Sequence, residues 1–170
     1  AMYDELLDAA TAGGFDQYEV ANFARGGSSG PAEIPARACR HNINYWRGGS
    51  YHGLGPSAAG HASGRRTVNV ANTVRYCQEL ERGVRAIGSS EELAPLARAG
   101  ETAAFGLRMT AGWPLAEFRR RTGFDLQEEW AAEISQMTGL GFGRLDGDRF
   151  HLTRQGLRFA DWVGSEFLRI

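Results

Sequence analysis

Six consecutive residues, His41-Asn42-Ile43-Asn44-Tyr45-Trp46, bring together an imidazole, two carboxamides and two aromatic rings with polar edges. Arg40 and Arg47 flank the run, and Gly48-Gly49 follow it. Every side chain in it except Ile43 carries a hydrogen-bonding or ligating atom. A buried polar atom without a partner costs about 1 to 3 kcal/mol, so this composition points to a site rather than to core filler. The other histidines, His52, His61 and His151, stand alone among polar or turn residues and read as surface or satisfied-core side chains. Gly53-Leu54-Gly55 followed by Gly60 misses the spacing of a dinucleotide or Walker loop, and no lysine follows. Its glycines read as positions for positive φ and close backbone approach.

The elements that must position the run are only partly legible. Leu6, Leu7 and Ala10 before Gly13-Gly14 predict a short helix, and Tyr18 to Ala24 predicts one strand. Residues Gly26 to Pro35 are rich in Gly, Ser and Pro and read as a surface loop. Gly48 to Gly64 reads as an irregular glycine-dense segment, and Asn72 starts a helix through Glu81 that Gly83 stops. From Leu93 the texture changes. Helices are expected over Leu96 to Met109, Leu115 to Thr122 with Gly123 as stop, and Leu126 to Thr138 with Gly139 as stop. Phe142 to Leu145, the Asp146-Gly147-Asp148 turn and Arg149 to Leu152 read as a hairpin. Thr153 caps a last helix from Arg154 to Leu168. Three helices, a hairpin wing and a helix make a winged-helix order.

Composition bounds the class. A chain of 170 residues with 42% hydrophobic and 23% charged residues is ordinary globular protein. All its basic residues are arginine, and a net charge of -1 gives no general field for polyanions. Cys39 and Cys77 sit in no metal-binding spacing, which fits a reduced, cytoplasmic setting. No apolar run reaches the about 18 residues of a membrane span. The opening residues already carry a helical pattern, as in a segment cut from a longer protein.

The residues resemble a family. Tyr18-Glu19-Val20-Ala21-Asn22-Phe23-Ala24 is similar to its YEISNFA element, Arg40 to Trp46 to its RHNxxYW signature, and Gly53 to Ala59 to its GLGPGAHS turn. Glu101 to Gly112 and Leu152 to Gly156 resemble its C-terminal domain. The family is that of the oxygen-independent coproporphyrinogen III oxidases, which are radical S-adenosylmethionine (SAM) proteins. The HNxxYW element points to its heme chaperone branch. The chain departs from the pattern at Ser57 and Ala59, where relatives carry glycine and histidine. The family's CxxxCxxC motif for a 4Fe-4S cluster is absent, so the resemblance places cluster and SAM in the longer parent and leaves this chain inactive alone.

The resemblance implies specific roles. His41 would ligate heme iron, with Asn42 or a main-chain carbonyl fixing the tautomer of the imidazole. Tyr45 and Trp46 would cover the porphyrin plane, and Arg40 and Arg47 would pair with propionates or, as the plainer alternative, stay solvated. By spacing alone, eleven positions after His41, His52 is a second axial candidate if its loop folds back. The alternative is structural: His41 and Asn42 tie a loop to a barrel rim, and Tyr45 and Trp46 fill the seam between modules. The expected architecture is α/β, with the end of a partial radical-SAM barrel over 1–90 and a winged-helix-like domain over 91–170. Expected partners are the parent's N-terminal barrel, heme or a porphyrinogen, a client hemoprotein and a second copy of the chain. A true oxidase, with this segment closing its substrate cavity, is the alternative function. Nucleic-acid binding is a third reading, disfavoured by Glu128, Glu129 and Glu133 on the helix that would enter the groove.

Overall fold

A computed structural model describes residues 2–26 and 34–169; residues 27–33 of the expected Gly/Ser/Pro loop lie outside the described residues. The architecture is mixed α/β, with three small antiparallel sheets and nine helices among the described residues. Helix α1 (Met2–Ala12) leads into a hairpin of β1 (Asp16–Glu19) and β2 (Asn22–Ala24). The single strand expected over Tyr18 to Ala24 is therefore two strands reversing at Val20-Ala21. Main-chain bonds account for the reversal. Val20 N–H donates to the Arg108 carbonyl at 3.0 Å and the Tyr18 carbonyl accepts from Thr110 N–H at 3.1 Å. The backbone around Glu19 is thus committed to a segment some 90 residues away.

The HNxxYW run forms helix α2 (Arg40–Trp46). The segment expected to be irregular after it holds β3 (Ala59–Ala62), paired with β4 (Arg65–Asn69) in a sheet of order β3-β4-β5. The β3–β4 connection is Ser63-Gly64, with φ of 53° and 77°. Two positive φ angles make the type I′ geometry that suits a two-residue hairpin. Helix α3 (Thr73–Glu81) follows as expected, with the Asn72 side chain accepting from Arg75 N–H, and β5 (Ile87–Glu92) completes the sheet.

Beyond it lie α4 (Pro95–Gly106), β6 (Trp113–Pro114), α5 (Leu115–Thr122), α6 (Leu126–Glu129) and α7 (Ala131–Gly139). Then come β7 (Gly143–Asp146), β8 (Arg149–Leu152), α8 (Arg154–Leu157) and α9 (Ala160–Glu166). Two expected long helices are broken, at Trp130 (φ -121°, ψ 31°) and at Phe159 (φ -117°, ψ 23°). Gly139 lies inside α7, and the left-handed stop is Gly141. The sheet order is β6-β8-β7, so the expected hairpin gains a third, two-residue strand on β8.

Trp113, Phe118, Trp130, Phe150 and Phe167 are fully buried at the centre of this half. Burial of an indole requires an acceptor for its N–H. Trp130 Nε1 donates to the Phe167 carbonyl at 2.8 Å, and Trp113 Nε1 to the Thr102 and Ala103 carbonyls at 3.2 and 3.3 Å. Trp113 fits only because α4 ends in glycine: a Cβ on Gly106 would lie 2.0 Å from its Nε1. Among the described residues no helix is long and apolar enough to cross a membrane.

Candidate functional site

Helix α2 has no side-chain cap at Cys39 and only seven residues, too few to be stable by itself. Packing holds it. Ile43 lies against Tyr18, Ala24 and Ala38, and Asn42 Nδ2 donates to the Tyr18 hydroxyl at 3.5 Å. The helix ends in a Schellman motif, with Gly49 N–H donating to the Asn44 carbonyl at 2.8 Å and Gly48 N–H to the Tyr45 carbonyl at 3.0 Å. Gly48 supplies the left-handed residue, with φ +67°, and a Cβ on Gly49 would strike Asn44 at 2.0 Å. The chain can therefore turn at once and bring Tyr51 back over Tyr45.

A cleft of about 290 Å³ opens where α2, the β3–β4 hairpin and α4 meet. Tyr45 and Trp46 line it from α2, Tyr51 and His61 from the strand edge, Arg66 from β4, and Arg98, Glu101, Thr102 and Phe105 from α4. Tyr45 and Tyr51 stack with centroids 4.0 Å apart and planes 23° from parallel. Trp46 faces Phe105 across 6.4 Å, and the Arg108 guanidinium lies 5.0 Å from the Trp46 ring. Burial raises the Tyr51 phenol above its ordinary value, and neighbouring Tyr45 adds to the shift. Arg66 donates to Glu101 at 2.8 Å, a bond that raises its pKa, and also pairs with Glu91 at 3.5 Å.

The residues singled out in the sequence divide between this cleft and its surroundings. Tyr45 and Trp46 form its wall. His41 is exposed on the preceding turn, its ring 5.0 Å from Tyr45 with planes at 68°, and it does not line the cleft. Neither of its ring nitrogens has a hydrogen-bond partner among the described residues. Asn42 serves Tyr18, so it does not set the tautomer of His41. Arg40 is exposed at the start of α2 and lies outside the cleft. Arg47 is buried, its Nη1 donating to the Gly112 carbonyl at 2.8 Å and its guanidinium 4.6 Å from the Trp113 ring. Burial lowers its pKa to about 10, against the opposing pull of Glu117. His52 lines a separate hollow with Asn69 and Tyr76.

Sequence reasoning missed Tyr51, His61, Arg66, Arg98 and Phe105. Arg98, Glu101, Thr102 and Phe105 had a signal, since spacings of three and four put them on one helical face. The strand residues had only the Ser63-Gly64 turn. The cleft suits a flat, largely apolar ligand with acidic arms. Its walls are rings, guanidinium groups stand at its edge, and the buried Trp46 Nε1 has no acceptor among the described residues. Its volume is at the small end of ligand pockets, about 300 to 1,000 Å³, so a larger ligand would be held by part of its surface.

The chain is similar to known proteins. Residues 93–159 match the model of the family described as HemN C-terminal domain. The chain is 35% identical over 162 residues to a heme chaperone HemW of Mycobacterium tuberculosis, covering 94% of this chain and 37% of the relative. It is 28% identical over 167 residues to the heme chaperone HemW of Bacillus subtilis, covering 98% and 42%. The chain thus spans about two fifths of the length of these relatives. A solved structure of the radical-SAM coproporphyrinogen III oxidase HemN of Escherichia coli has the same fold over 97% of this chain and 39% of that one, with a TM-score of 0.67 at 14% identity. The chain resembles the C-terminal part of the HemN-like radical-SAM proteins, in their heme chaperone branch.

Proposed function

We propose that this chain is the heme-handling C-terminal part of a cytoplasmic radical-SAM heme chaperone. Heme is its cargo, received in the cleft beside α2 and passed to a client hemoprotein. The observation that carries the reading is the apolar cleft built on Tyr45 and Trp46 of the HNxxYW helix, with guanidinium groups at its edge. In this reading His41, outside the cleft lining but against Tyr45, holds the iron of a ring that projects past that wall. Its imidazole is exposed, unpartnered and in edge contact with a wall residue, as a ligand that must both take up and release a metal requires. A partly open cleft serves a carrier better than an enclosed one, because the cargo has to leave. In that protein the N-terminal barrel would hold the 4Fe-4S cluster and SAM. Residues 1–90 belong to the end of that barrel and 91–170 to a winged-helix-like domain, and the chain pairs with a second copy.

The oxidase reading rests on the shared fold, and its substrate carries the same carboxylate arms. The named chaperones match at 28–35% identity, which supports the chaperone reading over the oxidase one. The test is spectroscopic. Hemin added to wild-type chain should give a shifted Soret band, and His41→Ala should lose that shift. Identical spectra in the two proteins would remove His41 as the ligand.

A further inference from the structure

A second cavity of about 410 Å³ adjoins the ring-walled cleft and shares Gly48, His61, Arg98 and Thr102 with it. Its chemistry is different. Three guanidinium groups line it, from Arg47, Arg98 and Arg121, together with the His61 imidazole and hydroxyls such as those of Ser63 and Thr122. No carboxylate is among its lining residues. Two of the three arginines are committed elsewhere. Arg47 is stacked on Trp113 and bonded to Gly112, and Arg121 pairs with Glu117 at 2.8 Å while donating to the Arg47 carbonyl at 3.3 Å. Arg98 is the exception, since no ion pair neutralises it among the described residues.

Arg98 is also held in place. It projects from α4 over the β3–β4 turn, where a Cβ on Gly64 would lie 2.2 Å from its Nη1. Gly64 has φ +77°, so the turn both requires glycine and leaves room for the guanidinium. A half-buried, unpaired guanidinium at the junction of an apolar and a basic cavity attracts an anionic group tethered to an apolar body. Guanidinium–carboxylate bonds are among the stronger and more directional of side-chain contacts.

We infer that the basic cavity holds the carboxylate arms of a tetrapyrrole whose ring lies in the adjoining cleft, with Arg98 as the anchor where the two cavities meet. The inference rests on the heme-handling reading and gives it an orientation: acidic edge toward α4 and α5, opposite edge toward solvent.

The test titrates the chain with iron protoporphyrin IX and with its dimethyl ester, which keeps the ring and removes both charges. Wild type should bind the free acid about tenfold more tightly than the ester, the value of one charge-assisted hydrogen bond. Arg98→Gln should abolish that preference by weakening the acid far more than the ester, and Arg98→Lys should restore part of it. Thermal melts of both variants check that they fold. Equal binding of acid and ester by wild type, or equal weakening of both by Arg98→Gln, would overturn the anchor and leave heme binding standing. Binding of neither compound by wild type would overturn heme handling and the anchor together.

Discussion

Tyr45 on α2 and Tyr51, two residues past the Gly48-Gly49 stop, stack at 4.0 Å and form one wall of the cleft. The helix end and the cleft wall are therefore one construction. Such aromatic pairs are worth about 0.5 to 1.5 kcal/mol beyond the area they bury. A double-mutant cycle of Tyr45→Leu and Tyr51→Leu in denaturant unfolding should return a coupling in that range, and additive single effects would contradict it.

His41 contributes little to the fold. It is exposed and lacks a hydrogen-bond partner among the described residues, so His41→Ala should change stability by less than about 0.5 kcal/mol. A larger loss in chemical denaturation would assign the residue a structural role and would confound the Soret comparison.

Gly106 is fixed by Trp113. Its missing Cβ is where the indole lies, at 2.0 Å, and Trp113 is fully buried with both neighbouring carbonyls bonded to its Nε1. Neither the indole nor the α4 backbone can withdraw without breaking those bonds. Gly106→Ala should cost about 3 kcal/mol or more by overpacking, read as a lowered melting temperature, whereas Gly139→Ala, with open space around its Cβ position, should be neutral or stabilising.

Arg47 is a buried cation whose partners are a carbonyl and a ring. Arg47→Met keeps the apolar stem but strands the Gly112 carbonyl, and should cost about 1 to 3 kcal/mol. The folded-state pKa of about 10 lies below the ordinary guanidinium value, so the unfolded chain holds the proton more tightly and stability would gain only above that folded value. The penalty of Arg47→Met should accordingly be flat from about pH 5 to 9, and a strong slope there would implicate another group.

Asp146 gives the opposite pH limb. A hydrogen bond from His151, 3.1 Å away, is the first cause holding its carboxyl below the ordinary 3.8, and Arg144 adds to it. Its contribution is present above the unfolded value and lost as pH falls through the lower folded one. A carboxyl NMR titration should place its midpoint below 3.8, and His151→Ala should move it upward.

Legibility in the sequence tracks how local the cause is. The Asn72 cap, the Gly123 stop, the β7–β8 hairpin and Thr153 were readable because each depends on a few adjacent residues. The turn residues of that hairpin are Gly147 and Asp148, and only Gly147 has positive φ, the type II′ pattern. The breaks at Trp130 and Phe159 were not readable, because burial of each helix face against distant rings overrides a continuous helical pattern. The β1–β2 reversal depends on carbonyl and amide groups of residues 108–110, which no window around Tyr18 contains. Of the motif residues singled out by composition, Tyr45 and Trp46 line the cleft. Their companions carried no such signal, since Tyr51 and His61 reach the cleft through a strand pairing, at 2.7 and 2.9 Å, hidden in a glycine-dense stretch.

The stitching of Tyr18 and Val20 to residues 108–110 limits how far the cleft can open. Swinging the α2 side away from the α4 side would tear two main-chain bonds and pull Arg47 out from under its indole. The two banks of the cleft are thus moored to each other. If the chain carries cargo as proposed, exchange would occur through the water-facing mouth, where a receiving protein could reach the rim without prying the two banks apart.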